Sequence, residues 1–296
     1  MSQHVLLVIN ARHEASVAMA HQVIEGLHRA GMSVTMTDDD ALSLHEIPHG
    51  VHVVPSGEQA GDGCQLVVVL GGDGTILRGA ELARGGDVAL LGINLGHVGF
   101  LAEAEPEDLT DVVRAIVEQD WEVESRLALD VTVFQDGKMV AKTWALNEIS
   151  LEKSVRERMV EVLVEVDARP LSRWGCDGVV CATPTGSTAY AFSAGGPVVW
   201  PEVEALVVVP LSAHALFARP LVVSPRSTVA LELHGQSPAA VLWADGRRSI
   251  SVPPKARIEV QRHNQPVRLA RLRLAPFTDR LVAKFSLPVQ GWRGAR

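Results

Sequence analysis

Residues 66–75, Leu-Val-Val-Val-Leu-Gly-Gly-Asp-Gly-Thr, join an apolar run to three glycines gathered around one carboxylate, Asp73. A buried strand that ends in Gly71, Gly72 and Gly74 presents bare backbone N–H groups above a sheet edge, and phosphate oxygens are what such groups bind best. The turn is not a Walker A loop, because no Gly-Lys-Ser/Thr follows it. Nor is it a dinucleotide fingerprint, since Leu77 stands where the third glycine belongs. Gly71, Gly72, Gly74 and Thr75 are therefore expected to bind phosphate. With no lysine in the loop, the phosphate charge has to be offset by a divalent cation, and Mg²⁺ is the expected one.

A second glycine-rich turn, Gly92 to Leu101, follows the next apolar run. In a parallel sheet both turns lie at the carboxyl ends of strands, where the ligands of open α/β sheets collect. Asn94 and His97 within it read as ordinary loop residues. Thr183-Pro-Thr-Gly-Ser-Thr-Ala-Tyr190 sets four hydroxyl residues and the chain's only tyrosine where a helix is expected to begin. One cap consumes one hydroxyl, so the excess points to a polar ligand with an aromatic ring. Asn147-Glu148 falls inside an apolar run, and an adjacent amide and carboxylate need partners if buried. Asp177-Gly178 and Asp245-Gly246 read by themselves as turns. His45-Glu-Ile-Pro-His49 matches a zinc-protease pattern, but Pro48 between the histidines denies them one helix face.

The elements that must position these residues follow from pattern. Strands at 5–10, 33–37, 65–70 and 88–93 alternate with helices at 13–31, 75–85 and 106–119, which implies a parallel sheet flanked by helices. Residues 38–63 read as a mobile loop, and the Asp38-Asp39-Asp40 run as solvated surface. After Trp121, short runs rich in Val, Leu and Ile take over at 127–134, 139–151, 159–167, 174–182, 203–209, 227–234, 239–245 and 256–274. The Asp136-Gly137 turn between the first two marks a hairpin. One helix is expected from about Ser187, and helical spacing returns at 277–285. The expected fold is an α/β domain over 1–121 and a mostly antiparallel β domain over 122–275, with 276–296 packing back on the first.

The chain has 296 residues, 47% hydrophobic and 21% charged, which suits two globular domains. A formal charge of −8 offers no basic face for nucleic acid, and no stretch approaches a membrane span. The N-terminal run has no basic n-region and reads as the first strand of a cytoplasmic protein. Cys64, Cys176 and Cys181 match no zinc spacing and read as reduced, buried thiols.

Taken together, the Gly71 turn, Asn147-Glu148, Thr183 to Tyr190, Ser193 to Pro197 and Phe277-Thr-Asp-Arg280 stand in the order of the bacterial NAD kinases, and the chain resembles that family over nearly its whole length. It is most similar to the actinobacterial form, the inorganic polyphosphate/ATP-NAD kinases. The resemblance implies transfer of a phosphoryl group from ATP or polyphosphate to the adenosine 2′-hydroxyl of NAD. It also implies a homodimer or homotetramer. At matching positions it makes Asp73 the catalytic acid, Asn147, Thr188, Ala189 and Tyr190 the adenine pocket with Thr185 in the same motif, and Glu148 a ribose contact. Asp177 would lie toward the nicotinamide end, Ser193 would border the pocket, and Asp245 would be a further acid on the NAD side. Leu211 to His214 departs from the family pattern. Two other readings are a lipid kinase of the diacylglycerol type, which would use the same phosphate turn, and an NAD-binding sensor without catalysis, which would need the pocket but not Asp73.

Overall fold

The computed structural model describes residues 4–44, 46–94, 99–102, 109–156, 158–235, 237–272 and 276–289. The chain forms two compact units, Met1–Ser125 with Val267–Arg296, and Arg126–Pro266.

The first unit is built on a seven-stranded sheet. Its strands are β1 (His4–Ile9), β2 (Ser33–Thr37), β3 (Val51–Val54), β4 (Leu66–Leu70), β5 (Ala89–Ile93) and β6 (Glu122–Arg126), together with Val267–Arg271. The order is β3-β2-β1-β4-β5, then Val267–Arg271, then β6, and the pairs from β3 through Val267–Arg271 are parallel. Every residue of β4 and β5 is buried, as expected of central strands covered on both faces. One face carries α1 (Glu14–Arg29) and α4 (Leu109–Glu118), whose Val23, Ile24, Leu27 and Ile116 meet Val5, Leu7 and Leu91. A third helix, Asp73–Leu82, starts at the end of β4, and Gly79 allows it close approach, since a Cβ there would sit 2.7 Å from Val69 Cγ2.

The expected loop at 38–63 is corrected. Asp38–Ala41 forms a one-turn helix, α2, and the helix Asp73–Leu82 is accordingly α3. Val51–Val54 pairs in parallel with β2 as an edge strand, and its half-exposed pattern hides the signal that a buried strand would give. The acidic run is not all solvated surface either: Asp40 is buried and takes Arg78 Nη2 at 2.5 Å.

The second unit is a sandwich of two six-stranded antiparallel sheets. Its strands are β7 (Leu129–Gln135), β8 (Lys138–Ala145), β9 (Glu148–Lys153), β10 (Val160–Val166), β11 (Arg169–Cys176), β12 (Gly178–Ala182), β13 (Leu206–Leu211), β14 (Leu221–Val223), β15 (Val229–Leu233), β16 (Ala240–Ala244), β17 (Arg248–Val252) and β18 (Arg257–Arg262). The orders are β11-β10-β15-β18-β7-β8 and β14-β13-β12-β9-β16-β17. Alternate residues such as Val131, Val162, Leu231 and Ile258 from one sheet meet Ile149, Leu151, Val179 and Leu242 from the other in a single core, as period-2 alternation requires. Asp136 and Gly137, both at positive φ, close the β7–β8 hairpin foreseen from the sequence.

Three expected strands are each two. The run 139–151 breaks at 146–147, and 174–182 at Asp177, where the chain passes from one sheet to the other. The run 256–274 breaks after β18, and Val267–Arg271, β19, joins the parallel sheet. Polar residues mark each break, Asn147, Asp177 and the stretch Arg262-His-Asn-Gln-Pro266, but they do not say that the chain changes sheets there. The helix expected from Ser187 is instead a 3₁₀ turn, Thr185–Thr188, followed by the one-turn α5, Tyr190–Ser193. The last helix, α6, spans Phe277–Phe285 as its spacing predicts. Among the described residues, no helix is long and apolar enough to cross a membrane.

Candidate active site

In the first unit the site grows from the end of β4. Gly71 has φ 157°, and a Cβ there would fall 2.5 Å from Thr75 Oγ1, so only glycine makes this turn. Gly72 caps α3 and Asp73 is its first residue, with Gly74 exposed beside it. Gly71 N–H is spent on Ile93 O, and Thr75 and Ile76 both donate to Gly72 O. The amides of residues 72–74 therefore stand ahead of the helix's own ladder, at its positive end.

Asp73 is held from the second glycine turn. Phe100 N–H donates to its Oδ2 at 3.2 Å and Leu101 N–H to its Oδ1 at 3.1 Å. Gly99 must be glycine for this, because a Cβ would overlap Asp73 Oδ1. The turn is braced in turn by α6: Arg280 Nη1 donates to Phe100 O and Ala102 O, and the rings of Phe277 and Phe285 lie 5.7 and 6.0 Å from Phe100. His97 and the rest of 95–98 lie outside the described residues, as does His45 of the rejected zinc pattern.

In the second unit α5 and the segment after it cover β12 and β13 on one outer sheet face, packing Ala191 and Val199 on Val180, Ala182, Val207 and Val209. Beside this cover lies a cavity of about 530 Å³ lined by Glu148, Ser150, Glu152, Tyr190, Trp243 and Gly246. Glu148, Ser150 and Glu152 share one face of β9, and Trp243 of β16 is register-paired with Ser150.

Asn147 and Glu148, expected in mid-strand, sit where β8 hands over to β9 and are only 8% and 7% exposed. Asn147 Oδ1 and Glu148 Oε2 are buried without a hydrogen-bond partner among the described residues. Burial, with the charge of Asp245 adding to it, pushes the Glu148 carboxyl up to about 8, against the Tyr190 N–H that donates to it. Asp245 itself is buried in the Asp245-Gly246 turn, where its carboxylate accepts from Leu146 N–H, Asn147 N–H and Arg248.

The hydroxyls of the Thr183–Tyr190 stretch are spent internally. Thr183 donates to Leu146 O, Ser187 to Pro184 O and Thr188 to Thr185 O, while Thr185 accepts from Arg126. Their excess over one cap builds the turn itself, which leaves Ala189 and Tyr190 at its exposed end. Gly186 must be glycine because a Cβ would overlap Asn147 O.

Against this geometry stand the comparisons. The family model for the N-terminal domain of ATP-NAD kinases matches residues 5–121, and that for their C-terminal domain residues 146–272. The chain belongs to the NAD kinase family. An NAD kinase of Thermobifida fusca is 57% identical over 98% of this chain and 91% of its own length. NAD kinase 2 of Streptomyces avermitilis is 56% identical over 98% and 97%. Among solved structures, an NAD kinase from Archaeoglobus fulgidus in complex with ATP superposes with TM-score 0.71 at 27% identity, over 97% of this chain and 99% of that one. A yeast NADH kinase complexed with NADH, at 22% identity, shares the fold with TM-score 0.87 over 97% and 88%.

Within this NAD kinase fold, the expected residues fall into two groups. Gly71, Gly72, Asp73, Gly74 and Thr75 form one turn of the first unit. In the second unit Asn147, Glu148 and Asp245 are joined by hydrogen bonds, Thr185, Thr188, Ala189 and Tyr190 form the adjoining turn, and Ser193 ends α5 in the open. Asp177 stands at the head of β12, paired with Lys153 Nζ at 2.5 Å. Sequence reasoning missed Ser150, Glu152 and Trp243, although the spacing of Glu148, Ser150 and Glu152 around buried Ile149 and Leu151 carried the signal. It noted the glycine-rich turn that carries Phe100 and Leu101 but did not single out their amides as the donors to Asp73. Cys176 and Cys181 are buried and pushed up to about 12 by that burial, which suits inert thiols, whereas Cys64, expected to be buried with them, is only partly so.

Proposed function

We propose that this family member transfers the terminal phosphoryl group of ATP, or of inorganic polyphosphate, to the adenosine 2′-hydroxyl of NAD, forming NADP. The observation that carries the reading is Asp73, a half-buried carboxylate fixed by two amides at the first residue of a helix whose preceding glycines leave room for phosphate. Phosphoryl transfer passes through a loose transition state, so catalysis rests on positioning and charge neutralisation. The amides of residues 72–74 and the positive end of α3 receive the donor phosphates.

A divalent cation such as Mg²⁺ supplies charge neutralisation when bound. Asp73, whose oxygens each accept one N–H and keep a further lone pair, is the residue that would hold such an ion together with the donor phosphates. By the same lone pairs the carboxylate can also accept from the acceptor hydroxyl. A carboxylate is too weak a base to ionise an alcohol outright, so Asp73 orients the hydroxyl and takes its proton late in the transfer.

The dinucleotide is assigned to the sandwich. Asn147 Oδ1, a buried acceptor, suits the amino group of adenine, and Glu148 Oε2, a buried carboxyl oxygen without a partner among the described residues, suits a ribose hydroxyl, which can both donate and accept. The Tyr190 ring gives a stacking surface, with Thr185, Thr188, Ala189 and Ser193 around it and Asp177 toward the nicotinamide end. A homodimer or homotetramer working in the cytoplasm completes the proposal, with light scattering as the check on assembly.

The test is an assay of purified protein with NAD and Mg²⁺, comparing ATP and polyphosphate side by side. NADP is expected from both donors. Formation from ATP alone removes the polyphosphate half of the proposal, and formation from neither removes all of it.

A further inference from the structure

Asn147 Oδ1 and Glu148 Oε2 can await a ligand unpaired only if the backbone beneath them is fixed by something else. On one side Thr183 holds it, its Oγ1 donating to Leu146 O at 2.6 Å and its N–H to Asn147 O at 2.9 Å. On the other side Asp245 does the same work. Its Oδ1 accepts from Asn147 N–H at 2.7 Å, its Oδ2 accepts from Leu146 N–H at 3.0 Å, and its own N–H donates to Glu148 O at 2.9 Å. Arg248 Nη2 closes on the same Oδ2 at 3.0 Å.

Both carboxylate oxygens are thus engaged, and Asp245 is 6% exposed, while its neighbour Gly246 and not Asp245 lines the cavity. The turn conformation supports this, because Asp245 holds φ 52°, a region that aspartate tolerates better than most side chains. We propose that Asp245 is a positioning residue: it acts on the dinucleotide through Asn147 and Glu148 and makes no contact with it. The inference rests on the assignment of NAD to the sandwich, and it changes the role that family resemblance gave to Asp245.

Asp245→Asn keeps the shape but leaves one acceptor and turns an NH₂ group toward a backbone N–H. The expected result is a KM for NAD raised about tenfold, with kcat and the KM for ATP within about twofold of wild type. A residue that acts through two others loses its effect when they are gone, so in an Asn147→Ala/Glu148→Ala background the same substitution should change kcat/KM by less than about twofold. An unchanged KM in the single variant, or an equal loss in both backgrounds, overturns the proposal. Should Asp245→Asn fail to fold, amide exchange on nucleotide-free wild type decides: protection of Leu146 and Asn147 N–H is expected, and exchange at loop rates overturns it. Wild type that neither makes NADP nor binds NAD by calorimetry sinks the underlying NAD assignment, whereas an active wild type with equal losses sinks only this inference.

Discussion

Asp73 carries the least ambiguous consequence of any residue, because both its oxygens are aimed by amides of another turn while the side chain stays half-open. Asp73→Asn keeps the size but loses an acceptor, so kcat should fall about 10²-fold or more with NAD affinity retained by calorimetry. Near-normal turnover would remove Asp73 from the chemistry. Glu148 makes a prediction about pH. Its folded carboxyl is raised to about 8 from an ordinary 4.5, so between those values the native state holds a proton that the unfolded chain has released. Stability from this group is complete below about 4.5 and is lost as pH rises through about 8, by an amount on the order of a few kcal/mol. Glu148→Gln cannot ionise, so relative to wild type it should gain thermal stability from pH 5 to pH 9. A stability difference that stays flat over that range would contradict the burial argument.

Between elements, the decisive contacts are close approaches of backbone. Gly99 lets one loop reach the carboxylate at the head of α3, and α6 holds that loop by Arg280 and two phenylalanine rings. Gly99→Ala puts a methyl group into Asp73 Oδ1, so turnover should fall at least about tenfold while NAD binding holds. Arg280→Ala leaves Phe100 O and Ala102 O without this donor and should lower kcat severalfold, with circular dichroism unchanged. Wild-type turnover in the latter would show that α6 is not needed to set the loop. The glycines at 71, 72 and 74 announced their turn in sequence because three stand together. Gly99 and Gly186 announced less, since a glycine required by a distant oxygen looks like any other.

At the scale of the molecule, the second unit is one unbroken segment whose ends are adjacent: β7 and β18 pair with Leu129 opposite Arg262, and His263 N–H donates to Ala128 O. With its own core, the fragment 126–266 should fold alone into a β protein with a cooperative thermal transition. A fragment without such a transition would show that its core depends on the rest of the chain. Much of this architecture was legible in residues, because buried parallel strands read as continuous apolar runs and half-buried antiparallel ones alternate. The Gly71–Gly74 turn and the Asn147-Glu148 pair stood out in the sequence too, since a glycine cluster and an adjacent amide and carboxylate in an apolar run are features that composition alone does not produce. What only the tertiary structure decided is where runs such as 139–151 and 256–274 change sheets, that Asp40 is buried against Arg78, and that Asp245 is spent on the backbone of Leu146 and Asn147. The physical reason is the same in each case: a local pattern records how much of a residue is buried, but its hydrogen-bond partners are chosen by segments that can lie 180 positions away.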